Sequence, residues 1–252
     1  MTELQVHDFL VLTMLVCAAL AFVVLFFVTA PYGRHLRSGW GFTLPAKVGW
    51  IVMESPAVLL FAYVYALGEN ALHAVPLVLL GMWQFHYVYR TFIYPFRLPP
   101  AAHRMPVSVI AMAVVFNCIN AYINARWISQ LGAYTEAWLF SPAFLFGAAL
   151  FLAGWAINQH ADLVLLRLRG TGETGYKIPR GGLYSKISCP NYLGEMLEWA
   201  GWALATWSTA GLAFAVFTIA NLLPRAIANH RWYRSEFSDY PAQRKAVIPF
   251  LL

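Results

Sequence analysis

Chemistry in this chain begins with two rows of polar side chains that bracket its most polar passage, residues 158–199. On a helix, Asn158, Asp162 and Arg169 fall within an arc of about 40°, and Asn191, Glu195 and Glu198 form a similar row beyond the loop. Two such rows facing one space would make a cleft of cations, carboxylates and amides, suited to a large polar ligand that carries its own charges. A third row, Arg225, Asn229 and Tyr233 at i, i+4 and i+8, offers groups for a phosphate or a ribose, against the plainer reading of Arg225 as a snorkelling side chain. Glu54 stands apart. It lies seven residues past Lys47 in an apolar run, roughly 10 Å into a span at about 1.5 Å per residue, where an ionised carboxylate costs on the order of 3 kcal/mol. It must be paired or neutral, and a neutral carboxyl donates a hydrogen bond. Trp83, Tyr87, Arg90 and Tyr94 recur at i, i+4, i+7 and i+11 on one helical face, placing an arginine in line with two phenols, a combination that can hold an anion. His86 and Tyr89, near the end of the same span, are equally well read as interfacial aromatics.

The elements that position these groups follow from composition. The 252 residues are 60% hydrophobic, 16% aromatic and only 11% charged, with a mean hydropathy of +0.60, outside the range of soluble domains. Apolar windows near 9–30, 46–67, 72–94, 106–128, 140–165, 192–208 and 210–228 predict seven transmembrane helices, an all-α multi-pass fold in one domain over 1–252. Nearly every Lys and Arg maps to one side and only Arg126 to the other, which predicts an outer N-terminus and a cytosolic C-terminus. The first span, led by Glu3 and Asp8 with no small-residue cleavage site after it, reads as retained. Pro56 can kink the second span, Pro190 can open the sixth, and Ser208, Thr209 and Ala210 predict a tight final hairpin. Asn117, Asn120 and Asn124 suit bonds between helices.

Several functions are excluded. The net charge of +6 comes from scattered basic residues rather than a basic face, so nucleic acid is not an expected partner. Cys17, Cys118 and Cys189 have no metal-ligand spacing, and no metal is expected. Gly170 to Gly175 matches G-x-G-x-x-G, but a long apolar helix precedes it and a loop follows, so the strand-to-helix context of a dinucleotide fold fails. Those glycines read as turn residues.

The segments NYLGEMLEWAGWALATWS, GYKIPRGGLY and RWYRSEFSDYPAQRKAVIPFLL, with HYVYRTFIYP and the Glu54-Ser55-Pro56 element, resemble the steroid 5α-reductases, or 3-oxo-5α-steroid 4-dehydrogenases. The likeness runs from about Gly49 to the C-terminus and is looser over the first 45 residues and over 97–140. It implies a seven-helix oxidoreductase that binds NADPH in a cytosol-facing cavity and reduces the 4,5 double bond of 3-oxo-4-ene steroids of the testosterone or progesterone type. Glu54 and Tyr87 resemble the catalytic pair on the steroid carbonyl. Asn158, Asp162, Arg169, Tyr176, Asn191, Glu195, Arg225 and Tyr233 resemble the cofactor set, with Arg90 and Tyr94 added. Asn229 stands where the family commonly has His. Trp50 and Leu222 resemble substrate-pocket walls. The implied steroid enters from the lipid with no obligatory protein partner, and the membrane is the endoplasmic reticulum for a eukaryotic source or the inner membrane for a bacterial one.

Glu54 and Tyr87 argue for a carbonyl rather than for a steroid, which leaves a reductase of another conjugated lipid, of enoyl-thioester or polyprenyl type, as an alternative. An isoprenylcysteine-type methyltransferase has loosely similar last helices. A transporter could use Glu54, Asp162 and Glu195 as an ion path, but no pair of interrupted half-helices is present to build one.

Overall fold

The computed structural model describes residues 1–31, 33–98, 104–168 and 175–252. The long helices are α1 (Glu3–Phe27), α2 (Ala46–Ala66), α3 (Ala74–Val88), α5 (Val107–Arg126), α6 (Pro142–Arg167), α7 (Pro190–Thr206) and α8 (Thr209–Glu236), and α3 runs through a π-helical segment, Tyr89–Ile93, into the short α4 (Tyr94–Arg97). The architecture is that of a mostly helical membrane protein. Five helices, Glu3–Phe27, Ala46–Ala66, Val107–Leu131, Pro142–Arg167 and Thr209–Glu236, are long and apolar enough to cross a bilayer. The third and sixth expected spans are shorter as helices: α3 has 15 residues and α7 has 17, against the roughly 20 a crossing needs. Phe9, Leu20 and Val23 on α1, Leu59 and Tyr63 on α2, and Leu145 and Phe146 on α6 are exposed, as lipid-facing side chains are.

Local sequence explains the helix ends. Thr2 caps α1 with a reciprocal Gln5 bond, satisfying amides that have no intrahelical partner. Helix α2 continues through Pro56. Pro190 opens α7 at a position that needs no amide hydrogen. The turn to α8 is two residues long, with Trp207 left-handed at φ 45° and Ser208 accepting from the Gly211 amide at 2.9 Å. One feature lies outside an all-α expectation: Thr43–Pro45 (β1) pairs antiparallel with Arg104–Pro106 (β2), Thr43 opposite Pro106. The C-terminal tail lies beside the chain entering α7, the Ser188 amide donating to the Lys245 carbonyl at 2.9 Å and the Cys189 amide to that of Ala246 at 3.0 Å.

The core is aromatic. Trp83 stacks on Phe61 at 4.3 Å and Trp199 meets Phe214 at 4.2 Å, with Trp202 filling the space beside Trp83 at 5.2 Å. Helices α6 and α7 meet differently, backbone to backbone. A Cβ on Gly147 or Gly154 would lie within 3.0 Å of the main chain at Ala205 or Glu198, and one on Gly194 or Gly201 equally close to Asn158 or Phe151. The glycines are seven residues apart in each helix, so both pairs fall on one seam. This close approach sets the two polar rows against each other.

Candidate active site

The α6–α7 seam brings Asn158, Asp162, Asn191 and Glu195 together. The Asn158 amide donates to the Asn191 carbonyl at 3.0 Å, and the Asn191 side chain donates to Asp162 at 3.3 Å. Arg90 enters from the π-helical segment and bridges the two acids, 3.7 Å from Asp162 and 3.6 Å from Glu195. Its guanidinium lies over Trp50 at 4.5 Å and over Tyr94 at 5.3 Å, and those two rings meet edge-on at 5.4 Å. The wider i→i+5 turn rotates the residues after it relative to a regular helix, and Arg90 and Tyr94, four residues apart, still meet across it.

Beyond this cluster opens a cavity of about 290 Å³ whose walls include Tyr94, Asp162, Tyr176, Asn191, Arg225, Asn229 and Tyr233. Arg225 donates to Asn221 at 2.9 Å and to the Tyr192 hydroxyl at 3.0 Å, and Asn229 donates to the same hydroxyl at 3.4 Å. Arg169 and the run Gly170 to Thr174 lie outside the described residues.

The structure adds wall residues that the sequence reading did not assign. Arg34 comes from the segment after α1, donates to the Tyr233 hydroxyl at 3.2 Å and sits among the rings of Tyr176, Trp232 and Tyr233. Its Nη1 is buried with no hydrogen-bond partner among the described residues. Burial works against the Arg34 charge, but the neighbouring Tyr233, Cys189 and Tyr192 outweigh it and hold its pKa above the ordinary arginine value. His35 bonds Asn229 at 3.1 Å, and its pKa is pushed below the ordinary imidazole value, by burial first and by the charge of Arg34 among lesser causes. Burial pushes the Cys189 thiol up to about 11, so this cysteine is no nucleophile at neutral pH. The signal in sequence for Arg34 was only its place just after a span. Its partners lie about two hundred residues away, beyond the reach of any periodicity.

Glu54 and Tyr87 lie on the apolar side of Arg90. Tyr87 is buried and Glu54 half-buried, and each is within electrostatic reach of the other, of Arg90 and of Glu195. Glu54 accepts from Asn117 at 3.3 Å, whose amide also donates to the Met53 carbonyl at 2.6 Å. Asn124 accepts from Trp202 at 2.8 Å. Tyr87 is 4% exposed, and its ring packs between Trp83 at 4.8 Å and Trp199 at 5.5 Å. Trp50 packs with Met53, Met105 and Ile110, whereas Leu222 belongs to a separate cluster with Cys189, Met196, Ala226 and Val247.

The arrangement can hold anions in one place and a polarised oxygen in another. Arg34 and Arg225 supply fixed charge and forked donors suited to phosphate. The buried Nη1 of Arg34, without a partner among the described residues, is a donor that fits a phosphate-bearing cofactor here. No group of three or more His, Cys, Asp or Glu residues that could hold a metal occurs among the described residues.

A helical membrane protein with an aromatic, carboxylate-bearing core beside a cation-lined polar cavity is the class these observations define. A family model described as 3-oxo-5-alpha-steroid 4-dehydrogenase matches residues 103–252. Steroid 5-alpha-reductase DET2 of Solanum lycopersicum is 46% identical over 251 residues, 98% of this chain and 97% of the relative. The 3-oxo-5-alpha-steroid 4-dehydrogenase 1 of Bos taurus is 45% identical over 247 residues, 96% of each chain, and that of Homo sapiens is 44% identical over 223 residues, 87% of this chain and 85% of the relative. The chain belongs to the 3-oxo-5-alpha-steroid 4-dehydrogenase family.

Proposed function

We propose that this protein reduces the 4,5 double bond of 3-oxo-4-ene steroids to 5α-dihydrosteroids with NADPH, acting as one seven-span domain over residues 1–252. The observation that carries the reading is the pair Glu54, half-buried, and Tyr87, buried, two hydrogen-bonding groups within electrostatic reach of Arg90, whose partner Asp162 lines the polar cavity, in a chain of this family. Charge builds on the steroid carbonyl oxygen as its β-carbon is reduced, and a neutral Glu54 carboxyl with the Tyr87 phenol would donate to that oxygen. Each such donor contributes on the order of 3 kcal/mol to the barrier reduction. NADPH, when bound, supplies the hydride. Arg34, Arg225 and Arg169 would hold its phosphates, with Tyr176, Asn229 and Tyr233 beside them. Arg90, fixed by Asp162 and Glu195, marks the junction of the two sites, where Asn158, Asn191 and Tyr94 complete the polar wall and Trp50 and Leu222 would border the substrate.

The apolar surface of the helices lets a steroid partition from lipid and enter sideways, while the cofactor arrives from the side where Lys and Arg concentrate. That side is cytosolic by the charge rule. The membrane is the endoplasmic reticulum in a eukaryotic cell or the inner membrane in a bacterium, and no further protein partner is required by this scheme.

The test is to mix the detergent-purified protein with NADPH and a 3-oxo-4-ene steroid and look by mass spectrometry for a product heavier by two hydrogens. Its formation supports the reading. NADPH binding without reduction of any such steroid moves the substrate to another conjugated lipid, and failure to bind NADPH removes the cofactor assignment.

A further inference from the structure

Next to Tyr87 lies a buried acid–base pair to which the proposed chemistry gives no part. His86 Nδ1 is 2.7 Å from Glu198 Oε1, with the two side chains 4% and 0% exposed. The second carboxylate oxygen of Glu198 is buried and has no partner among the described residues. Glu198 lies one turn beyond Glu195 on α7, so the polar row of the cofactor side continues into the aromatic core and ends against α3. There the His86 ring meets the Tyr87 ring edge-on at 4.9 Å and Trp199 edge-on at 4.7 Å. Tyr87 is thus walled by Trp83, Trp199 and His86, and of these three rings only His86 is tied by a polar bond to α7. On the opposite side, Gly154 of α6 lets its backbone approach the main chain of Glu198.

Stability alone is a poor explanation for such a pair. A buried ion pair rarely outweighs the desolvation of its members, and an apolar replacement of similar volume is commonly neutral or better. A hydrogen-bonded pair does, however, fix a rotamer and a register that apolar contacts leave adjustable. Trp83 is fixed too, its Nε1–H donating to the Ala57 carbonyl of α2 at 2.7 Å, so His86 is the wall of Tyr87 whose directional bond ties α3 to α7.

We propose that His86, held by Glu198, is a positioning residue for Tyr87: the pair locks α3 to α7 so that the Tyr87 phenol stands where the substrate carbonyl is to be held. The proposal rests on the role given to Tyr87 above. Neither His86 nor Glu198 need touch the substrate, and no proton need leave the pair. The groups facing it are Tyr87, Trp199, Glu195 and Arg90, with Glu54 within electrostatic reach of His86.

The test is a double-mutant cycle between His86→Ala and Tyr87→Phe, with Glu198→Gln as the conservative variant, each assayed for kcat, KM, thermal midpoint and steroid affinity of the cofactor-free protein. The expected result is that His86→Ala lowers kcat by about ten- to a hundred-fold with little change in the KM for NADPH, a misplacement effect of ordinary size. In the Tyr87→Phe background the same substitution should add almost nothing, because the phenol it positions is already gone. Glu198→Gln, which keeps an acceptor for Nδ1, should retain most of the rate, and Glu198→Ala should not.

Additive losses in the cycle overturn the proposal, as does a fall in rate that follows the thermal midpoint alone. If His86→Ala does not fold, Glu198→Gln against Glu198→Ala in the two Tyr87 backgrounds carries the same comparison. If Tyr87→Phe itself costs no activity, both the pair's role and the assignment of Tyr87 fall. If Tyr87→Phe is crippled and His86→Ala is fully active, only the pair's role falls.

Discussion

The two sides of Arg90 are built by opposite rules. On the apolar side single bonds are set in an aromatic surround: Trp83 donates to the Ala57 carbonyl at 2.7 Å, and Glu54 meets Asn117 at 3.3 Å. On the polar side several groups share partners. Tyr192 accepts from both Arg225 and Asn229, Asn229 also bonds His35, and Arg34 bonds Tyr233 while lying among three rings. The difference teaches that the apolar side has little to compensate for a lost group, whereas the polar side can spread the loss.

The sharpest way to break that contrast is Glu54→Ala, expected to lower kcat on the order of 10²–10³-fold with NADPH affinity unchanged, whereas Glu54→Gln keeps a donor and part of the rate. Steady-state kinetics with NADPH titration checks it, and equal activity of the Ala variant would remove Glu54 from the mechanism. Next in size is the α6–α7 seam. Gly154→Val puts side-chain atoms where the Glu198 main chain lies, costs about 1–3 kcal/mol as overpacking does, and should lower the thermal midpoint and NADPH affinity together.

A smaller effect is expected inside the shared network. Arg34→Gln should weaken NADPH binding about ten-fold, in line with one charge-assisted hydrogen bond, and Asn229→Ala by less, since Tyr192 and Arg225 remain bonded to each other. Binding of NADPH measured on each variant decides; equal losses at the two positions would contradict the idea of shared load. The smallest effect is a pH dependence at His35. Burial, with help from Arg34, Arg225 and Arg37, holds its native pKa below the ordinary imidazole value while the Asn229 bond opposes this. The unfolded chain therefore takes up the proton first as pH falls. Stability declines from the ordinary imidazole pKa down through the lower native one and then levels off. Thermal melts of His35→Gln should lack that decline.

Much of this was legible in one dimension. Apolar windows located the helices, Pro190 marked the start of α7, and the i, i+4 rows found Asp162, Asn191, Arg225, Asn229 and Tyr233, which share the wall of one cavity. What periodicity missed is what depends on pairing between distant segments. Arg34 and Tyr192 enter the polar wall through partners on α8, and a three-residue ladder such as Thr43–Pro45 with Arg104–Pro106 is too short to leave an alternating pattern. The π-helical segment at Tyr89–Ile93 is invisible to a 100° wheel that assumes regular turns. The glycines at 147 and 154 and at 194 and 201 did leave a sequence signal, equal spacing in two helices, but it becomes readable only once those helices are known to be neighbours.

That seam acts as a ruler. Two contacts about 10 Å apart along each axis, seven residues at about 1.5 Å each, allow α6 and α7 a single register, and a slip of one residue replaces every glycine with a larger side chain. The helices carry this instruction themselves, independently of the connection between Arg167 and Pro190. A chain cut in that connection therefore retains in its two halves the information needed to find each other again, with Asn158 returning to the side of Asn191.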